Sequence, residues 1–354
     1  MTIDTDRRSF LARAAALAAA PTIASLVGNA MLSSPAAAAG ATDLPDFAPV
    51  PPSALGPALN GSGYYVGRIE RNLYWVTNGT YIAAFLTTRD GVVLLDAPPA
   101  LGGNIQRAID EVTRPAGLPS KVTHLIYSHH HSDHIGASAL FGKRVTRIGH
   151  TETRRLLKRD ADPDKPAPDE TFDDHRTLRI GGERIELHWL GANHTPDNIF
   201  IHLPGHRALM LVDVLMPGWA PFANLNLSED VQGALKAPAQ ALKFPWAHFI
   251  GGHMGRLGTR RDLEVDQAYT ADLEAEIRTA LAVVDPAPYF ARYADNPWAA
   301  VKTYLDEVVA VAIAPVVRKY TGVLAAADVF ADSSAFVLAQ SLRLDLGVGQ
   351  VVQD

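Results

Sequence analysis

The segment Ser128-His129-His130-His131-Ser132-Asp133-His134 packs a His-x-His-x-Asp-His pattern into six positions. An apolar run, Val122 to Tyr127, precedes it and predicts a short buried strand. Ile135-Gly136-Ala137-Ser138-Ala139-Leu140 follows and can start a helix. The pattern therefore falls on a strand-to-helix turn, where alternate residues can face one centre and the next pair a second. Such a turn can hold two divalent ions a few ångströms apart, as hydrolytic two-metal chemistry requires. Taken alone, the segment also fits a solvated His-rich loop that binds metal loosely.

Other ligand-type residues stand in comparable places. Gly191-Ala192-Asn193-His194-Thr195-Pro196-Asp197-Asn198 is a turn after the predicted strand Arg184–Leu190. Asp213 closes the apolar run Leu209–Asp213, and His253 follows Ile250-Gly251-Gly252. Asp96 ends Val92-Val93-Leu94-Leu95. A carboxylate or imidazole at a strand end beside small residues can reach an ion without steric obstruction. The chain has no cysteine, so its ligands are imidazoles and carboxylates, a set that suits zinc, manganese or iron.

Composition bounds the rest. Of 354 residues, 47% are hydrophobic and 20% charged, which is globular; a net charge of −6 without a basic stripe excludes a nucleic-acid partner. Asp6-Arg7-Arg8-Ser9-Phe10-Leu11, the Ala-rich stretch to Val27 and Ala37-Ala38-Ala39 resemble a twin-arginine export signal, residues 1–39, with its cleavage site. Pro21, Asn29 and the low hydrophobicity of Ala argue against stable membrane insertion. The expected location is periplasmic or secreted, with the protein exported folded.

Residues 40–60, rich in Ala, Pro and Asp, read as an extended tether. From Gly61 the pattern predicts strands over Tyr64–Glu70, Leu73–Thr77, Tyr81–Thr88 and Val92–Asp96 as a meander of hairpins, then a helix over Asn104–Val112. A second half predicts strands over Thr177–Ile180, Arg184–Leu190, Ile199–Leu203, Leu209–Asp213 and His248–Gly251, with helices over Val231–Leu242 and Asp262–Val284. Lys158–Thr171 reads as a solvated loop. Residues 286–354 read as a helical extension, with helices over Asp306–Ala314 and Ala325–Leu342; Pro315 is expected to end or kink the first. The extension is a candidate subunit contact for a homo-oligomer. The fold class is α+β, two β-rich halves stacked sheet on sheet with helices outside.

From Gly61 to Val284 these motifs, in this order and spacing, resemble the metallo-β-lactamase superfamily. The resemblance implies an αββα sandwich with its site along one edge of the sheets. It implies that His129, His131 and His194 bind a first zinc ion, that Asp133, His134 and His253 bind a second, and that Asp213 bridges them. Two zinc ions sharing a water would lower its pKa toward about 7, and Asp133 would also orient the attacking hydroxide. Asp96 becomes a supporting residue of the ligand turn, with a plain strand-end carboxylate as the alternative; Thr195 supports the His194 turn or caps it. His130 occupies a variable position, second to the ligands or facing solvent. Trp219, Pro221 and Phe222 could form an apolar wall for a small-molecule substrate, and Tyr74 and Trp75 belong to either pocket or core.

The branches of the superfamily pull apart here. His194-Thr195-Pro196-Asp197-Asn198 reads like the zinc β-lactamases, yet that branch normally uses a cysteine on its second ion. The nearest candidate to hold a β-lactam carboxylate is Arg256. The leading expectation is a dinuclear zinc hydrolase acting on an ester, lactone or amide. The alternatives are a true zinc β-lactamase, a mono-iron oxidoreductase similar to persulfide dioxygenases, and a non-catalytic metal-binding protein.

Overall fold

Alternation along the strands builds two sheets, seen in a computed structural model that describes residues 45–349. The export signal predicted over residues 1–39 lies outside the described residues. The first sheet runs in the order β1 (Tyr65–Glu70), β2 (Leu73–Thr77), β3 (Ile82–Thr88), β4 (Gly91–Leu95), β5 (Val122–Ile126), β6 (Thr146–His150) and β7 (Glu170–Phe172). β1 to β4 form an antiparallel meander, and β4 to β7 are parallel. The second sheet runs β12 (His248–Ile250), β11 (Ala208–Met210), β10 (Phe200–Leu203), β9 (Glu183–His188), β8 (His175–Ile180), antiparallel except where β11 meets β12.

Each strand divides its side chains between two cores. Ile82, Ala84 and Leu86 of β3 and Val93 and Leu95 of β4 meet Leu187, Ile201, Met210 and Ile250 of the other sheet. The alternate residues Ala83, Phe85, Val92 and Leu94 turn outward under helix α1 (Asn104–Thr113), whose Ile105, Ala108 and Ile109 recur at helical spacing. Trp75 faces the inter-sheet core and Tyr74 packs against the outer one, so both residues are structural.

The helices are α1, a short α2 (Ser132–Ile135), α3 (Thr151–Asp160), α4 (Val231–Ala241), α5 (Arg260–Val283), α6 (Ala287–Arg292), α7 (Pro297–Tyr320) and α8 (Ala331–Leu344). α5 begins at a capping box, with Thr259 and Asp262 bonded reciprocally. Its buried Leu273, Ile277 and Ala280 join Val308, Ala312 and Val316 of α7 and Ala335, Leu338 and Leu342 of α8 in one cluster. That packing explains a difference from expectation at Pro315. α7 continues through it to Tyr320, because Ala312, Val316 and Tyr320 are buried on both sides of the proline. An interior proline costs a helix about 3 kcal/mol, less than such burial returns.

Other segments also depart from the sequence reading. The predicted loop Lys158–Thr171 is shorter, since α3 takes its start and β7 its end. β11 stops at Met210, although the backbone of Leu211 and Asp213 still donates to Ile250 O and Gly251 O (3.1 and 3.2 Å). Residues 47–60 are no free tether: Pro51 and Ala54 are buried, and a Cβ at Gly56 would sit 2.0 Å from Gly255 O. Among the described residues no helix is long and apolar enough to cross a membrane.

Candidate metal centre

The ligand-type residues lie at the carboxyl ends of β4, β5, β11 and β12 and in the turn after β9, all on one edge of the sandwich. Asp96 leaves β4 with a left-handed backbone (φ 60°), and Asp213 does the same after β11 (φ 61°). Aspartate tolerates that region better than most residues do. The Asp96 carboxylate accepts from Ser128 N at 2.8 Å and stands 4.0 Å from His134 Nδ1. Ala97 N donates to His134 O (2.7 Å) and Ala137 N to Ala97 O (2.9 Å). Asp96 thus ties the start of the histidine turn to β4 and Ala97 ties its end; burial pushes the Asp96 carboxyl up to about 6.

Two groups of ligand atoms form around Asp213. His129, His131, His194 and Asp213 offer atoms all within 4.8 Å of one another, and so do Asp133, His134, Asp213 and His253. In the first group His194 Nε2 is 3.1 Å from His131 Nδ1 and 3.4 Å from Asp213 Oδ2. His129 Nδ1 rests against Ser128 Oγ at 3.0 Å, which leaves Nε2 aimed inward and buried, without a hydrogen bond and 3.6 Å from Asp213 Oδ2. In the second group Asp213 Oδ2 is 2.9 Å from His134 Nε2, and Oδ1 is 3.1 Å from His253 Nε2. Asp133 Oδ2 lies 3.5 Å from each of these two imidazole nitrogens. Asp213 Oδ2 thus faces histidines of both groups while Oδ1 faces His253, so the carboxylate is shared between the two sets of ligand atoms.

The electrostatics agree with a cation centre. Burial depresses His129 well below the usual histidine value and His194 to about 4, so both present neutral lone pairs, as metal ligands must. Burial also works against His253, but its bonds to Asp133 and Asp213 raise it to about 9. Burial alone would raise Asp213; the charges and hydrogen bonds of His134 and His253 hold it well below the ordinary carboxylate range. The orphaned inward nitrogen of His129, a shared carboxylate and the absence of thiolates fit divalent ions held by imidazole and carboxylate.

A buried polar network sets the His194 turn. Asn193 Oδ1 accepts from His194 N (2.7 Å) and Asn198 Nδ2 (2.9 Å), and Asn198 Nδ2 also reaches Val212 O (2.8 Å). Asp197 accepts from Thr195 Oγ1, Thr153 Oγ1 and His130 Nδ1 at 2.7–2.8 Å. Thr195 and His130 therefore serve the scaffold of the turn. His130, His131 and Glu229 form a further ligand-type group, which shares His131 with the first.

A pocket of about 330 Å³ opens on both groups. Tyr81, Met216, Phe222, Leu227 and Met254 line it with His131, Asp133, His194, Asp213 and His253. Phe222 is part of that lining. Trp219 is not, and its indole N–H donates to Ala54 O at 3.3 Å. Pro221 lines a separate cleft with Asp266. Sequence reasoning missed Tyr81, whose ring lies 4.7 Å from that of His253, because a tyrosine opening a predicted strand reads as core. No lysine or arginine lines the pocket among the described residues. Arg256 is committed elsewhere, its Nη2 and Nη1 donating to Asp262 at 2.6 and 3.2 Å.

The pocket's Phe222 and Leu227 flank a strained turn. Asn224, Leu225, Asn226 and Leu227 are all left-handed (φ 54 to 60°). Such a backbone costs roughly 1–2 kcal/mol per residue, less for asparagine, and persists only where the surroundings impose it. Asn226 accepts from Phe222 N (2.7 Å) and donates to Val214 O (3.1 Å), while Glu229 N donates to His194 O (2.9 Å).

The family model of the metallo-beta-lactamase superfamily matches residues 76–225. The 2,4-dinitroanisole O-demethylase subunit alpha of Nocardioides sp. (strain JS1661) is 25% identical over 205 residues, 56% of this chain and 60% of that protein. A metallo-beta-lactamase type 2 of Bacteroides fragilis is 33% identical over 145 residues, 40% of this chain and 57% of that one. The chain thus spans about three fifths of the length of these relatives. A solved metallo-beta-lactamase from Pontibacter korlensis superposes with a TM-score of 0.49 at 21% identity, covering 58% of this chain and 97% of that one. Residues 76–225, the segment that matches the metallo-beta-lactamase superfamily model, hold every ligand-type residue of the two groups except His253.

Proposed function

We propose that this protein is a dinuclear zinc hydrolase cleaving an ester, lactone or amide bond of a small molecule. The observation that carries this reading is Asp213 standing between two complete ligand groups at the floor of a small-molecule pocket. When bound, a pair of divalent ions supplies an activated water and a Lewis acid at neutral pH. His129, His131 and His194 would hold one ion, Asp133, His134 and His253 the other, and Asp213 both. Asp133 remains ionised, its bond to His253 outweighing the effect of burial, and it lines the pocket. It can therefore orient the attacking water and would take up its proton on the carboxylate oxygen that the ion leaves free. Tyr81, Met216 and Met254 shield the reacting carbonyl from bulk solvent. A mono-iron oxidoreductase would need one ligand group, whereas both are intact here.

The test is a substrate panel on the zinc-loaded protein: aryl esters, lactones, nitrocefin and 2,4-dinitroanisole. Ester or lactone turnover abolished by Asp133→Ala supports the reading; turnover unaffected by that change contradicts it. β-Lactam hydrolysis is the second reading, favoured by the Asp197-Asn198 sequence, and nitrocefin as the best substrate would establish it. The pair Arg7-Arg8 and the Ala37-Ala38-Ala39 site further lead us to propose folded export to the periplasm. Retention of an Arg7→Lys, Arg8→Lys variant in the cytoplasm is the expected result.

A further inference from the structure

The C-terminal helix α8 makes contacts that its packing alone does not require. Asn224 N lies 3.2 Å from Ser333 Oγ and Leu225 N lies 3.3 Å from Ser334 Oγ, so two amides of the left-handed turn donate to serines of α8. Just before α8, the Phe330 ring sits 4.6 Å from the Phe222 ring. Ahead of the turn, Ala325 N donates to Gly218 O and Ala220 N to Ala325 O, both at 2.9 Å. The segment leading into the turn and the turn's first two left-handed residues are thus held by residues 325–334. Ala-Asn-Leu-Asn-Leu contains no glycine to favour a left-handed path, and the bonds within the turn recur in ordinary turns. The contacts from α8 are what distinguish this conformation.

We propose that α8 is part of the substrate-selecting apparatus. It holds the turn that places Phe222, Asn226 and Leu227 on the pocket, and the wall so formed selects uncharged substrates with an apolar acyl group. This rests on the hydrolase reading for its substrate class. Tyr81, Met216, Phe222, Leu227 and Met254 offer apolar surface, and Arg256 is bound to Asp262, so an anionic substituent meets no cation on the wall. Ser333 and Ser334 act as positioning residues through the turn.

The test uses the full chain and a Ser333→Ala/Ser334→Ala double variant. Its activity-independent readout is amide hydrogen exchange over residues 222–228. Exchange there is expected to speed up by about tenfold or more in the variant, while β3 and β4 exchange as in the parent and metal content is retained. On zinc-loaded protein, 4-nitrophenyl hexanoate should be preferred over the mono-4-nitrophenyl ester of adipic acid by about tenfold in kcat/KM. The double variant should lose most of its preference for hexanoate over acetate through KM rather than kcat. Leu227→Ala, at an exposed position that does not endanger folding, should lose the same preference without faster exchange at residues 224 and 225. Unchanged exchange in the double variant overturns the clamp. Equal turnover of the neutral and anionic esters overturns the selectivity. Absence of turnover on every ester, lactone and amide, nitrocefin included, overturns the hydrolase reading, and the exchange measurement still decides the clamp.

Discussion

Asp266 provides a test of the packing behind the pocket wall. It sits on the apolar stripe of α5, 5% exposed, in a cleft of about 20 Å³ lined by Pro221, Leu225 and Asn226. Among the described residues no group donates to its carboxyl, and burial raises its pKa from 3.8 to about 7. The folded state therefore keeps a proton that the unfolded chain releases above about pH 4. Stability from this group is complete below that pH, declines between about pH 4 and 7, and is flat above. The full span is about 3 pKa units, or at most ~4 kcal/mol at 1.36 kcal/mol each. Asp266→Asn keeps the shape without the titration. Urea unfolding of parent and variant at saturating zinc, from pH 5 to 8, should show the variant gaining roughly 2–3 kcal/mol relative to the parent as pH rises. A difference between them that does not change with pH would refute the reasoning.

Other perturbations have equally direct outcomes. Asp197→Ala orphans Thr153, Thr195 and His130 in a buried site and should cost about 3 kcal/mol or more, seen as a lowered Tm, with Asp197→Asn costing less. At Gly252 (φ +86°) a Cβ would meet Val212 Cγ1 at 2.6 Å and His134 Cε1 at 3.1 Å. Gly252→Ala should weaken the second ion in a zinc titration while the first binds as before. Pro315→Ala restores a helix hydrogen bond in α7 and should raise stability by about 1–3 kcal/mol in thermal unfolding.

Much of the centre was legible in the sequence because its chemistry is local. His129, His131, Asp133 and His134 sit on one turn, and His194, Asp213 and His253 each follow an apolar strand whose period can be read directly. The strands of the meander, with their Asn-Gly and Asp-Gly breaks, were legible for the same reason. What escaped depends on distant contacts. The left-handed path of residues 224–227 is held by Ser333 and Ser334, more than a hundred residues away. The passage of α7 through Pro315 depends on the cluster it shares with α5 and α8. Trp219 and Phe222 are both aromatic and close in sequence; one bonds to Ala54 O and the other faces the pocket, a choice no local pattern encodes.

The proposed two-ion centre bridged by Asp213 sets how much metal each chain should bind. Zinc per chain, measured after dialysis of the loaded protein, should be about two in the parent, about one in His253→Ala, and no more than about one in Asp213→Ala, whose three histidines of the first group remain. One ion in the parent, unchanged by loss of His253, would contradict the account.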